Sequence, residues 1–160
     1  MHVWQKLVKK KIVYKIALKD CSNNMKTDIK HLAAFAAVAI WADGEYDEAE
    51  KIALEEIAEA FELDADALKQ EVEVALTEIE PKNEDELNDY IYAHSVEIDD
   101  DEAEMIFEAL AEIVLIDGVL SSDEVNNLMS MATALGIDDS RAILMLVDMA
   151  KEEEDIVIEF

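Results

Sequence analysis

The chain has 160 residues and a mass of 18.0 kDa, the scale of one ordinary globular domain. Apolar residues make up 52%, enough for a core, whereas 3 glycines and 1 proline are too few for a turn-rich β sandwich or a disordered linker, so the composition points to helices. With 40 acidic against 13 basic residues the net charge is −27, a field that repels nucleic-acid phosphates and anionic lipid head groups alike.

The single cysteine, Cys21, allows no internal disulfide, no Cys/His cluster offers a zinc site, and a reducing cytosol is the expected compartment. The charge is unevenly spread. Residues 1–30 hold eight lysines against Asp20 and Asp28, while the other 130 residues hold 5 basic and 38 acidic side chains. Lysines interrupt every apolar run between Val3 and Leu18, so this stretch is neither a transmembrane span nor a secretory signal. Residues 1–26 read as a basic N-terminal extension, with three roles open to it. It docks on the protein's own acidic body, anchors weakly at a membrane surface, or precedes a natural start at Met25; the first and third are preferred.

From Thr27 the apolar spacing is helical. Residues 29–41 are apolar nearly all round, which suits a central buried helix, and Asp43-Gly44 ends it. A second helix starts near Asp47 and carries Ile52, Ala53, Ile57 and Phe61. A third follows Asp64 and stops at Pro81. A fourth runs from about Asn83 through His94, and a fifth, with Ala103, Ile106, Phe107, Leu110 and Val114, closes at Asp117-Gly118. Two more run from about Ser121 to Leu135 and from Asp138 to Met149. The expectation is an all-α, compact bundle of about seven helices over residues 27–150, followed by an acidic tail, 151–160, whose Ile156, Val157 and Ile158 read as a frayed helix end. The acidic run Asp99 to Glu104 reads as a solvated helix start, and Met129, Met131, Met145 and Met149 as core packing.

The strongest signal is an internal repeat at an offset of 74 residues. Asp43 to Leu68 lies without gaps over Asp117 to Ala142, with seven identities in 26 positions. The chain is a duplicated helix-turn-helix unit, and a pseudo-twofold axis is expected to bring the two Asp-Gly turns near each other. Each turn reads DGxxxxxE: Asp43, Gly44 and Glu50, then Asp117, Gly118 and Glu124. This matches the second half of an EF-hand loop, but the oxygen ligands required two and four residues earlier are replaced by Trp41 and Ala39, or by Leu115 and Ile113, so the EF-hand reading fails.

Two explanations of the motif stay open. Asp47 and Ser121 are good N-caps, and Glu50 and Glu124 stand three residues later as a capping box requires, at a typical gain of ~1 kcal/mol per cap. Gly44 and Gly118 suit helix termination. Capping leaves Asp43 and Asp117 less well explained, because each sits at a helix C-terminus, where the macrodipole disfavours a carboxylate by about 0.3–1 kcal/mol. A turn preference for Asp-Gly accounts for this, and so does a bound cation held by the aspartate and the free helix carbonyls. The first candidate metal set is Asp43, Asp47 and Glu50, with Glu45 and Glu48 nearby; the weaker second is Asp117 and Glu124, with Asp123 nearby. Oxygen-only ligands favour a hard divalent cation, Ca²⁺ first and then Mg²⁺ or Mn²⁺.

At these residues the sequence resembles the TerB-like family of tellurite-resistance proteins. The resemblance covers about residues 27–150 and rests on AxxAxxxxADGEYDEAE (Ala34 to Glu50), on IDGVLSSDE (Ile116 to Glu124) and on their separation. It implies a compact helical bundle with pseudo-twofold symmetry, acidic patches that bind divalent metal, and a role in stress response beside protein partners that are often membrane-bound. The family's acidic positions fall on Asp43, Glu50, Asp117 and Glu124. The lysine-rich start lies outside the resemblance, and Val119 and Leu120 leave the second turn poorer in oxygen ligands.

An enzyme is the competing class. His2, His31 and His94 have no partner evident in the sequence, and there is no Gly-rich phosphate loop or HExxH pair. His94 reads as a packing or capping residue. The expected role is therefore non-enzymatic: a cytoplasmic adaptor for a protein partner, with no nucleic-acid ligand. The alternative is an acidic interaction module, or a decoy imitating DNA phosphates, without metal.

Overall fold

A computed structural model describes residues 26–43, 46–117, 119–152 and 157–158. Among these described residues seven α-helices follow in order: α1 (Ile29–Asp43), α2 (Glu48–Ala60), α3 (Ala65–Ile79), α4 (Glu84–Ser95), α5 (Ala103–Val114), α6 (Ser122–Ala134) and α7 (Asp139–Glu152). The expected all-α bundle is the observed fold. Short 3-10 turns at Asp100–Glu102 and Leu115–Asp117 bracket α5.

Helix α1 is the central post. Every residue from Leu32 to Ile40 is at most 2% exposed, which explains why its apolar residues cover all faces rather than one stripe. Its alanines let neighbours approach closely, and α3, α4, α5 and α6 all pack on it. The other core helix, α5, buries Ile106, Phe107 and Leu110 against α1, α2 and α6. Each half thus lays its second helix on the other half's core helix, α6 on α1 and α2 on α5, as a pseudo-twofold duplication requires. Asn127 of α6 ties the halves further by donating from Nδ2 to the Val38 carbonyl at 3.1 Å. Met131, Met145 and Met149 are buried and Met129 is packed against the core.

The repeat extends to details of chain reversal. After α2, Leu63 N–H donates to the Ala58 carbonyl at 2.7 Å; after α6, Ile137 N–H donates to the Ala132 carbonyl at 2.9 Å. This pairing closes a helix through a residue in the left-handed region. That residue is Gly136 in the second half (φ 77°) and Glu62, 74 positions earlier, in the first (φ 58°).

Two expectations are corrected. Val157–Ile158 is not a frayed helix end: it is a strand, β2, pairing in parallel with β1 (Val119–Leu120), with Val119 opposite Val157 and Leu120 opposite Ile158. A run of β-branched residues beyond an acidic break suits an extended edge partner better than another helical turn. The run Asp99 to Glu104 is not uniformly solvated, since Glu102 is 5% exposed. Its carboxylate accepts from Lys26 N–H (2.8 Å), Thr27 N–H (2.8 Å) and Thr27 Oγ1 (2.7 Å), and Thr27 Oγ1 in turn accepts from Asp99 N–H at 3.2 Å. This buried carboxylate fastens the entry of α1 to the start of α5.

Two stability predictions follow from these contacts. Glu102→Gln leaves at least one donor without its charged acceptor and is expected to cost about 1–3 kcal/mol in urea unfolding. Glu62→Gly relieves a left-handed non-glycine residue and is expected to raise stability by about 0.5–1 kcal/mol, the gain being the difference between side-chain strain and glycine's extra chain entropy; an unchanged urea midpoint would count against strain at this position.

Candidate functional site

The two acidic corners form where a core helix hands over to the next helix. At the first, α1 ends at Asp43, and the chain re-enters helix at Glu48 after the cap Asp47. Asp47 N–H donates to Glu50 Oε2 at 2.7 Å and Glu50 N–H donates to Asp47 Oδ1 at 3.2 Å, so the expected capping box is present. Hydrogen bonding with Glu50, through the side chain first, holds the Asp47 carboxyl below its ordinary pKa against a smaller opposing effect of burial. Asp47 is exposed, whereas Glu50 is only 3% exposed.

The second corner repeats the device with a hydroxyl. Ser121 caps α6 by accepting from Glu124 N–H at 3.2 Å and donates from Oγ to Glu124 Oε1 at 2.9 Å. Glu124 is 6% exposed. Both glutamates are therefore buried cap partners at helix N-termini, where the macrodipole favours their charge.

Of the five sequence-predicted ligands, the structure brings Asp47 and Glu50 together and pairs Glu124 with Ser121. The side chains of Asp43 and Asp117 lie outside the described residues, as do Gly44, Glu45 and Gly118. Among the described residues no group of three or more His, Cys, Asp or Glu is arranged to hold a metal ion. The donor chemistry at each corner is hard oxygen, which suits Ca²⁺, Mg²⁺ or Mn²⁺. A full ligand set there requires the Asp43 or Asp117 carboxylate together with carbonyls from the end of the core helix.

Beside the first corner lies an open pocket of about 400 Å³ lined by Tyr46, Lys51, Asp66, Lys69, Gln70 and Glu73. Lys51 Nζ stands 5.3 Å from the Tyr46 ring centroid, and Lys69 donates to Glu55 at 2.8 Å. Among the described residues the buried Tyr46 hydroxyl has no hydrogen-bond partner, and burial, followed by the Glu73 charge, pushes its pKa up, so it stays protonated.

Sequence reasoning missed a second constellation. His31 of α1 and His94 of α4 are partners, their Nδ1 atoms 2.8 Å apart. The ring centroids are 5.1 Å apart, which is the contact distance plus two imidazole ring radii, so the nitrogens face each other along one line instead of converging on a third point. That is the geometry of one shared proton, one Nδ1 donating and the other accepting, with the two rings in opposite tautomers. Tyr90 sets its ring edge-on to His94 and donates its hydroxyl to Glu78 at 3.2 Å. A separation of 63 residues hides this pair from any local motif search.

Burial first, and then the His31 charge, lowers the His94 pKa below 6.5, with Lys30 adding to the effect and Glu78 opposing it. The fold therefore prefers neutral His94. Its contribution to stability is whole above the unfolded pKa of 6.5 and is lost as pH falls through the lower folded value. The urea midpoint is expected to drop between about pH 7.5 and about pH 5.5, and His94→Gln is expected to flatten that slope while leaving the carboxylate-driven loss at lower pH in place.

Among the described residues no helix is long and apolar enough to cross a membrane. Comparison with curated proteins and with solved structures gives no match. The family model described as tellurite resistance protein TerB matches residues 29–146, from the first turn of α1 into α7 and across both acidic corners. The chain belongs to the TerB family.

Proposed function

We propose that this protein is a non-enzymatic, cytoplasmic stress-response protein of the tellurite-resistance kind that binds a hard divalent cation at its acidic corners and serves as an adaptor for a protein partner. Membership of the TerB family across residues 29–146 is the observation that carries the reading. Ca²⁺ is the first candidate, followed by Mg²⁺ and Mn²⁺. Asp43 and Asp117 are the principal ligands in this reading, because a carboxylate at a helix C-terminus opposes the macrodipole and a cation there relieves the conflict. Asp47 and Glu50 at the first corner, and Glu124 at the second, supply further negative oxygen from positions already fixed by capping.

The adaptor role draws support from charge. With 40 acidic residues against 13 basic ones, a basic protein surface is the complementary partner, and steering by the long-range field speeds such encounters at low salt. A partner beside a membrane agrees with the family resemblance.

Calorimetric titration of Ca²⁺, Mg²⁺ and Mn²⁺ into the wild type and into the double variant Asp43→Asn, Asp117→Asn tests the metal reading. A saturable heat in the wild type that disappears in the variant is the expected result. Equal heats in both proteins would leave the corners with capping and turn roles only.

A further inference from the structure

The repeat pairs α3 with α7, and the two helices bury the same positions: Leu68 with Ala142, Val72 with Leu146, and Ala75 with Met149 are all buried. Their outward faces differ. Lys69, Gln70 and Glu73 of α3 line the polar pocket at Tyr46 and Lys51, whereas the equivalent residues of α7 are Ile143, Leu144 and Val147. These three are 51%, 56% and 39% exposed. Tyr46 and Lys51 are likewise replaced by Leu120 and Val125. One half of the duplication thus keeps a solvated face where the other presents an apolar one, and a contiguous exposed apolar face marks a docking surface.

The surroundings select the occupant. Arg141, on the first turn of α7, is engaged by both oxygens of Glu104 at 3.1 Å, and Glu108 and Asp148 add negative charge around it. Asp139 and Asp148 are exposed on α7 itself. A second copy of a chain with net charge −27 would bring like charges together on this rim. The complementary ligand is apolar and cationic. Residues 1–25 have that character, with Trp4, Leu7, Ile12 and Ile16 among six lysines and one aspartate.

This segment also joins the domain at the right corner. Lys26 N–H is held by Glu102 at the start of α5, the helix whose Glu104 holds Arg141 of α7, so the segment meets the body at the end of α5 that is tied to α7. Twenty-five residues reach up to about 80 Å when extended, far more than the roughly 21 Å length of a 14-residue helix.

We propose that the Ile143, Leu144 and Val147 face of α7 is the docking site of the chain's own N-terminal segment, residues 1–25, with apolar side chains of the segment on the face and its lysines toward the acidic rim. The test uses the full chain carrying Trp41→Phe, which leaves Trp4 as the sole indole. Acrylamide quenching of Trp4 is expected to be several-fold weaker than that of free N-acetyltryptophanamide and independent of protein concentration. Adding Leu144→Asp, or Ile143→Asp as a second variant, is expected to raise quenching to the free level with the helical circular dichroism unchanged, since both side chains are exposed. Free-level quenching in the Trp41→Phe chain, protection that survives both aspartate variants, protection that is lost on dilution, or protection that arises only with anionic lipid vesicles would each overturn the assignment, the last two in favour of a second copy and of a membrane.

Discussion

The structure depends on one constraint, the complete burial of α1 between Leu32 and Ile40. A segment buried on every side must satisfy its backbone polar groups internally, and a helix does so residue by residue. Alanines at 33, 34, 36, 37 and 39 keep the cylinder thin, and four helices pack on it. Both acidic corners start from the C-terminal ends of this post and of its counterpart α5.

Around that post the duplication preserved mechanics and let surfaces drift. The capping glutamates Glu50 and Glu124 and the left-handed positions Glu62 and Gly136 recur at the same offset, because each holds a backbone geometry that the packing of the next helix requires. Glu62 marks the limit of that pressure, since a non-glycine residue is carried in a conformation that disfavours its side chain. On outward faces no such restraint acts, and the polar set Lys69, Gln70 and Glu73 stands opposite the apolar set Ile143, Leu144 and Val147.

Much of this is legible in the sequence because it is local. Helical spacing, the caps Asp47, Asp64, Asn83 and Ser121, and the stop at Pro81 each report on a few neighbouring residues, and the helices begin where those residues place them. What stays hidden is long-range pairing of polar groups. The Glu102 carboxylate lies in a run of acids that reads as solvated, and only the arrival of Thr27, 75 positions away, makes it a buried acceptor. His31 and His94 likewise acquire a role from the approach of α4 to α1. The parallel pairing of β2 with β1 escapes periodicity because two residues are too few to display one. Of the candidate site, the capping contacts of Asp47, Glu50 and Glu124 were readable, whereas Ser121 bonding to Glu124 through both a donated and an accepted hydrogen bond depends on three-dimensional geometry.

Capping and metal binding divide the work at each corner in the proposed reading and do not compete for it. The buried glutamates at the helix N-termini already accept hydrogen bonds within the fold, Glu50 from the Asp47 N–H and Glu124 from the Ser121 hydroxyl. An aspartate at the preceding C-terminus has carbonyl oxygens for neighbours, and its compensation must come from a cation, from solvent or from a basic partner. In a body of 38 acidic and 5 basic residues beyond position 30 the basic side chains are few, and Lys69 and Arg141 are already held by Glu55 and Glu104. In the proposed reading the charge that remains is met from outside the helical body, by ions at the corners and by basic segments at the surfaces.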